Sequence, residues 1–226
     1  MCLCLVGLLP NHRIGLPLAK LGDMCPICDD HHELDQLGHH HITCSSGGFV
    51  TIRHNRIRDV LYTFCSRAGL GPLKEYGGRA GDGVRAHGQD RPADVFVPCW
   101  SLAKPAAFDL VVVSPLKAEN LDAAGDIEQQ KHADNDPRCL EEGWLCLPLA
   151  VDSYGRWGPV AHRSFETIVE KLAVRTRVSF ASALSSLYNT LALILVRQNA
   201  RAILARLVIP SALGAREVRL LASARS

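Results

Sequence analysis

Arg91–Pro115, RPADVFVPCWSLAKPAAFDLVVVSP, is the stretch that decides the fold. It holds two strands. In ADVFVP the apolar Val95 and Val97 alternate with other residues, and FDLVVV is a continuous run rich in β-branched side chains, suited to a strand buried on both faces; Pro115 ends it. Each strand opens on an acid, Asp94 in the first and Asp109 in the second. Adjacent strands would bring both carboxylates to one end of a sheet, where paired anions can hold Mg²⁺ and activate a bound water toward a phosphodiester. A lone Asp beside a strand is more often a turn or cap residue. The pair carries more weight, because Asp109 precedes a strongly apolar run in which an unpartnered charge is costly to bury.

Helical patterns surround these strands. Before them, in IRDVLYTFCSRAG, the residues Ile57, Val60, Leu61, Phe64, Cys65 and Ala68 recur at helical spacing, and Gly69 offers the stop. The glycine-rich GPLKEYGGRAGDGVRAHGQDRP then reads as a loop or loose hairpin. After the strands, KAENLDAAGDIEQQKHAD reads as a helix with a glycine interruption and GWLCLPLAV as another buried strand. SFETIVEKLAV is an amphipathic helix using Phe165, Ile168, Val169 and Leu172, and a last long helix runs from about Phe180 to Leu207. That order implies an α/β fold, a mixed sheet flanked by helices.

On the helix after the second strand, Lys131 in EQQKH is placed to orient an attacking water or to meet charge developing on phosphate. Glu128 lies three residues earlier, near the same face, and Lys117 in SPLKAEN competes with Lys131 for the role. RHNRIRD, Arg53–Asp59, opens the first helix: Asn55 is a candidate cap, Arg53 and Arg56 are candidate phosphate contacts, and His54 and Asp59 point toward the acidic end of the sheet.

Toward the N-terminus, CPICDDHHELDQLGHHHITC, Cys25–Cys44, has the spacing C-x2-C-x10-H-x4-C for Cys25, Cys28, His39 and Cys44. Three thiolates and an imidazole form a closed tetrahedral zinc set that can stabilise a loop too small for its own core, so the expected role is structural. His39 fits the spacing; His31, His32, His40 and His41 remain substitutes. Nine cysteines, an odd number at irregular spacing, favour thiols and metal ligands over a disulfide framework.

At 226 residues and 47% hydrophobic, the chain can bury a sizeable core. The opening MCLCLVGLLP lacks a basic start and does not read as a secretory signal, so an intracellular setting, nuclear or cytoplasmic, is expected. LALILV is flanked by Asn189, Thr190 and Arg197, which argues against a membrane span. The net charge of +2 is divided: Lys171–Ser226 holds nine Lys or Arg against Glu217, a net +8, leaving −6 for the rest. A basic segment of this kind suits a polyanion, or equally a solvated helical face. Arg197 and Arg201, one turn apart, could track phosphates.

Taken in order, the C-x2-C and H-x4-C pattern, RHN opening a helix, RPAD, FDLVVVSP, EQQKH and PLAVDSYGRWG resemble the restriction-enzyme-like endonuclease region at the C-terminal end of non-LTR retrotransposon polyproteins. The likeness runs from HRIGLPL to NARAILARL. It implies a PD-(D/E)xK nuclease core at residues 50–175, a CCHC zinc knuckle at 25–46, a basic helical tail at 176–226, and a lead-in at 1–24 left from a longer chain. It also implies Mg²⁺-dependent nicking of DNA, with Asp94 in the PD position, Asp109 in the second acidic position, and Lys131 as a lysine displaced onto the following helix. The sequence departs from that pattern at Val111, where simpler members carry lysine, at Asp134 and Asn135 on the helix, and at Asp152, where Glu is usual.

Three functions are compatible with these features. The leading one is an endonuclease domain in which knuckle and tail grip DNA, or RNA, while Asp94, Asp109 and Lys131 cut. The second is a nucleic-acid-binding module eroded at its active site, and the third an inactive remnant of a mobile element.

Overall fold

The run Phe108–Val113 becomes most of a central strand, paired along its whole length with one neighbour and at Phe108 with the other. The computed structural model describes residues 17–76, 93–101, 104–115 and 123–207; Arg91, Pro92, Lys117, most of the lead-in and the end of the basic tail lie outside them. In chain order the elements are helix α1 (His39–Thr43), a 3-10 turn (Ser46–Gly48), helix α2 (Phe49–Arg67), strands β1 (Leu73–Tyr76), β2 (Ala93–Val97) and β3 (Ala106–Val113), helix α3 (Ala123–Glu141), strand β4 (Leu145–Asp152), and helices α4 (Pro159–Thr176) and α5 (Phe180–Arg206). The chain divides into two units: Met1–Arg53 with Leu195–Ser226, and His54–Ile194.

The second unit holds a four-stranded mixed sheet of order β1-β2-β3-β4, antiparallel at β1–β2 and β2–β3 and parallel at β3–β4. Of the stretch expected as a loop or loose hairpin, Leu73–Tyr76 forms β1, whose Leu73 pairs with Phe96, and residues 77–92 lie outside the described residues. Burial of β3 is uneven. Ala106, Ala107, Phe108 and Leu110 are buried, whereas Val111–Val113 are only half-buried, although the sequence suggests burial throughout. Among the described residues, β4 is the strand that pairs with this end of β3. Pro148 lies in β4 opposite Asp109. It is tolerated because β4 is an edge strand, and the alternate residues Ala150 and Asp152 bond away from β3, to Gly158 and Arg156.

The helices cover this sheet with the apolar faces their spacing implies. Phe165, Ile168, Val169 and Leu172 of α4 are buried, each removing about 1.5–3 kcal/mol of apolar surface from water at most. Ile57, Leu61, Phe64, Cys65 and Ala68 of α2 are also buried. Gly69, at φ +78°, turns the chain out of that helix while Leu70 N–H bonds the Cys65 carbonyl at 3.0 Å. α2 starts well before Ile57, so Asn55 is not its cap but sits inside the helix. Gly125 does not interrupt α3, because it falls in the first turn. α5 runs unbroken through Asn189 and Thr190, and the Thr190 hydroxyl donates to the Ser186 carbonyl at 2.7 Å. That continuity makes it long and apolar enough to cross a membrane, contrary to the sequence reading; along it Ala183, Leu187, Leu191 and Leu195 are buried, whereas Leu193 is exposed.

One buried acid fixes the junction of α3, β4 and α4. Glu128, 1% exposed, accepts Ala150 N–H (3.3 Å) and Ala161 N–H (3.1 Å) at Oε1, and Val160 N–H (2.8 Å) at Oε2. Its charge thereby meets the unpaired donors at the start of α4. A Cβ at Gly158 would stand 2.3 Å from that carboxylate. Gly158→Ala should therefore cost about 1–3 kcal/mol, lowering the melting midpoint by roughly 2–4 °C per kcal/mol; an unchanged melting curve would dismiss the close approach.

Candidate functional site

Two clusters are built, one in each unit. In the N-terminal unit, a small loop folds back on itself: Cys25 N–H donates to the His32 carbonyl at 2.8 Å, and Met24 bridges Glu33. The chain then enters α1, where Asp35 receives the N–H groups of His39 (2.8 Å, Oδ1) and His40 (2.6 Å, Oδ2). Burial alone would raise the Asp35 carboxyl, but these two donors outweigh it and hold it below the ordinary carboxylate range.

This turn selects the ligand. Cys44 N–H bonds the His40 carbonyl at 3.0 Å, so His40 lies one helical turn before Cys44 and on its side. His39 is rotated away by a further residue. Cys25, Cys28, His40 and Cys44 place one ligand atom each within 4.8 Å of one another, so His40, not His39, completes the group. His40 Nε2 is 3.6 Å from Cys28 Sγ, and the His32 ring stacks on the His40 ring with centroids 5.4 Å apart.

The donor set suits a metal ion. The cysteines are buried, and a tetrahedron with bonds of about 2.0–2.3 Å has edges of roughly 3.3–3.8 Å, a range that includes the Cys28–His40 spacing of 3.6 Å. Burial would raise the Cys25 thiol, but backbone N–H groups of Cys28 and Ile27 bring it below its ordinary value. Burial, then repulsion from His32, lowers His40 and favours the neutral imidazole that a metal needs.

In the sheet unit, the β2–β3 register pairs Val95 with Phe108, and one step further sets Asp94 opposite Asp109. Directly opposed side chains share a face of the sheet. Asp94 Oδ2 receives Leu110 N–H at 2.7 Å and lies 3.1 Å from His54 Nε2. The Leu110 carbonyl, 3.0 Å from the same nitrogen, can only accept, so Nε2 carries the proton. From α3, Lys131 Nζ reaches Asp109 Oδ2 at 3.0 Å, and the Asn135 amide donates to that oxygen at 2.9 Å. Lys131 and Asp109 thus meet, with Asn135 one turn beyond Lys131, while Asp94 on the neighbouring strand meets His54.

The bond to Asp94 raises His54 above its ordinary value of 6.5, against the opposing effect of burial. Its contribution to stability is complete below 6.5 and is lost as pH rises through the elevated folded value. In metal-free protein the His54 ring should titrate above 6.5 by NMR, and His54→Gln should flatten the stability slope in that window; a ring titrating at or below 6.5 contradicts this geometry.

Other candidates lie elsewhere. Glu128 caps α4 instead of joining Lys131. Asp59 pairs with Lys74 at 2.8 Å. Asp152 ends β4 opposite Val113, and its Oδ1 receives Tyr154 N–H (2.8 Å) and Arg156 N–H (2.9 Å), a turn role. Arg53 is withdrawn from solvent: 4% exposed, it donates to the Ile42 carbonyl (3.1 Å) and Asn199 Oδ1 (2.9 Å), so it is not a surface phosphate contact. Arg56, Arg197 and Arg201 are exposed. The sequence reading missed Arg206, which is fully buried beside the Cys/His group. Comparison with protein-family models, curated proteins and solved structures finds no match to the chain.

Proposed function

We propose that this chain is an Mg²⁺-dependent DNA endonuclease domain that nicks one strand, of the restriction-enzyme-like kind associated with non-LTR retrotransposons, with a structural zinc in its Cys/His loop. The observation that carries the reading is the contact of Lys131 with Asp109 at 3.0 Å, on the strand next to the one that bears Asp94. Asp94 and Asp109 are hard oxygen donors of the type magnesium takes, and the ion supplies Lewis acidity toward a phosphoryl oxygen and a more acidic bound water. Lys131 Nζ stands beside Asp109 to hold the attacking water or to meet charge on the phosphate. Water adds to phosphorus, the P–O bond to the sugar breaks, and the departing alkoxide takes up a proton. Exposed Arg56 belongs to the sheet unit and Arg197 and Arg201 to the metal-loop unit; all three would meet backbone phosphates, giving an affinity that falls steeply with salt.

Asn135 at the helix position after Lys131, and Asp152 in a turn, favour a second reading: a nucleic-acid-binding module on the same fold that no longer cuts. Nicking of supercoiled plasmid with Mg²⁺, and its absence with chelator, separates the two. The nuclease requires wild-type nicking that Asp109→Ala loses; equal nicking by both proteins removes the catalytic assignment, and salt-sensitive binding without nicking leaves the module.

A further inference from the structure

Arg206 closes α5 with a side chain that is fully buried. Its Nη1 donates to the Ala202 carbonyl of its own helix at 3.1 Å. Its Nη2 donates to the Cys44 carbonyl at 3.2 Å and the Ser46 carbonyl at 2.7 Å, holding the backbone at the last ligand of the Cys/His group. The guanidinium carbon lies 5.0 Å from the centroid of the Phe49 ring, a cation–π arrangement. All of these groups belong to the unit made of Met1–Arg53 and Leu195–Ser226.

A buried guanidinium stays charged and is costly to bury without an anion. Among the described residues no carboxylate pairs with Arg206. The anion that fits is the metal centre. Three thiolates and a neutral imidazole around a divalent ion carry a net charge of about −1, which itself needs a partner in a buried site.

A second bond set ties the same parts together. Arg53, from α2, joins the Ile42 carbonyl to Asn199 of α5, while Leu18, Ile42 and Ile203 pack as one apolar cluster with Leu207. The end of α5 is thereby fastened to the ligand loop at both Ile42 and Cys44.

We propose that Arg206 is the counter-charge of the metal centre, a positioning residue that neutralises the tri-thiolate complex and docks the end of α5 onto the ligand loop, so that metal loading and helix docking are one event. This rests on the reading of Cys25, Cys28, His40 and Cys44 as a metal site. It has a functional corollary. Arg197 and Arg201, exposed on the same stretch of α5, are held in a fixed relation to the loop only while the metal is in place.

The test uses the full chain with Zn²⁺ and, as spectroscopic probe, Co²⁺. Wild type should bind Zn²⁺ and give the tetrahedral thiolate spectrum with Co²⁺; failure of both overturns the metal reading and the inference with it. Arg206→Met should keep the Co²⁺ spectrum but bind Zn²⁺ about 10–100-fold more weakly, and Arg206→Lys, which restores the charge, should recover most of that loss. Wild-type affinity in Arg206→Met overturns the counter-charge role while leaving the metal site standing. Hydrogen exchange on the unsubstituted chain guards against a variant that fails to fold. Amides of Leu195–Arg206 should exchange faster once the metal is chelated, and exchange there that ignores the metal overturns the coupling.

Discussion

Chelating the metal, or replacing Cys25 with serine, is expected to unfold the unit formed by residues 17–53 and 195–207 and to leave the sheet unit folded. The apolar content of the smaller unit explains the size of the effect. One cluster is Cys25, Cys28, Leu34 and Cys44 with Ala19 and Ile27, so three of its four buried members are ligands. A second among the described residues is Leu18, Ile42 and Ile203 with Leu207. A core of this extent seldom supplies more than about 3–5 kcal/mol, whereas a structural zinc contributes roughly 10–16 kcal/mol in finger peptides at neutral pH. The sheet unit, by contrast, buries Phe108, Leu149, Phe165, Ile168 and Leu172 without any ligand. Thermal denaturation followed by circular dichroism should therefore show two transitions with metal and, after chelation, only that of the sheet unit. Proteolysis should cut within residues 17–53 of the stripped chain. A single melting transition that chelator does not move would rule out this division of stability.

On the proposed nuclease reading, Asp109→Asn should reduce nicking about a thousandfold or more at ordinary Mg²⁺, and Lys131→Met about 10²–10³-fold, by different routes. Asparagine keeps the shape of the side chain and can still meet Lys131 and Asn135, but it removes the negative charge that a hard divalent ion requires. Raising Mg²⁺ should recover part of its activity. Methionine at 131 keeps the aliphatic stem and leaves both aspartates charged, so metal demand should change little and the deficit should persist at saturating Mg²⁺. Neither change should unfold the protein. Lys131 is 36% exposed and Asp109 19%, and partly exposed pairs of this kind contribute at most about 1 kcal/mol. Equal Mg²⁺ dependence in the two variants would mean that the residues do not divide the work as the geometry suggests.

The strands were legible because they rest on local pattern, but Asp109, expected at the start of its strand, is the fourth residue of β3, because the strand extends back to Ala106. Asp94 and Asp109 stand opposite one another for the same reason that Val95 stands opposite Phe108: two alternating strands in register. The histidine was off by one residue. A five-residue helix is too short for propensity to announce, and only its rotation separates His39 from His40. Had HHHIT been taken as helical, the position one turn before Cys44 would have named His40 from sequence. Asn135 had a comparable signal, four residues after Lys131 on one helix face. Arg53 and Arg206 had none, because arginine is rarely buried and their bonds reach residues 146 and 162 positions away.

That last separation has a consequence during synthesis. Arg206 bonds a carbonyl 162 positions earlier in the chain, so the smaller unit is complete only when nearly all of the sheet unit has left the ribosome. At about 5–20 residues per second, the wait is roughly 8–30 s. Through that interval the loop lacks the bonds that Arg206 later makes to the Cys44 and Ser46 carbonyls.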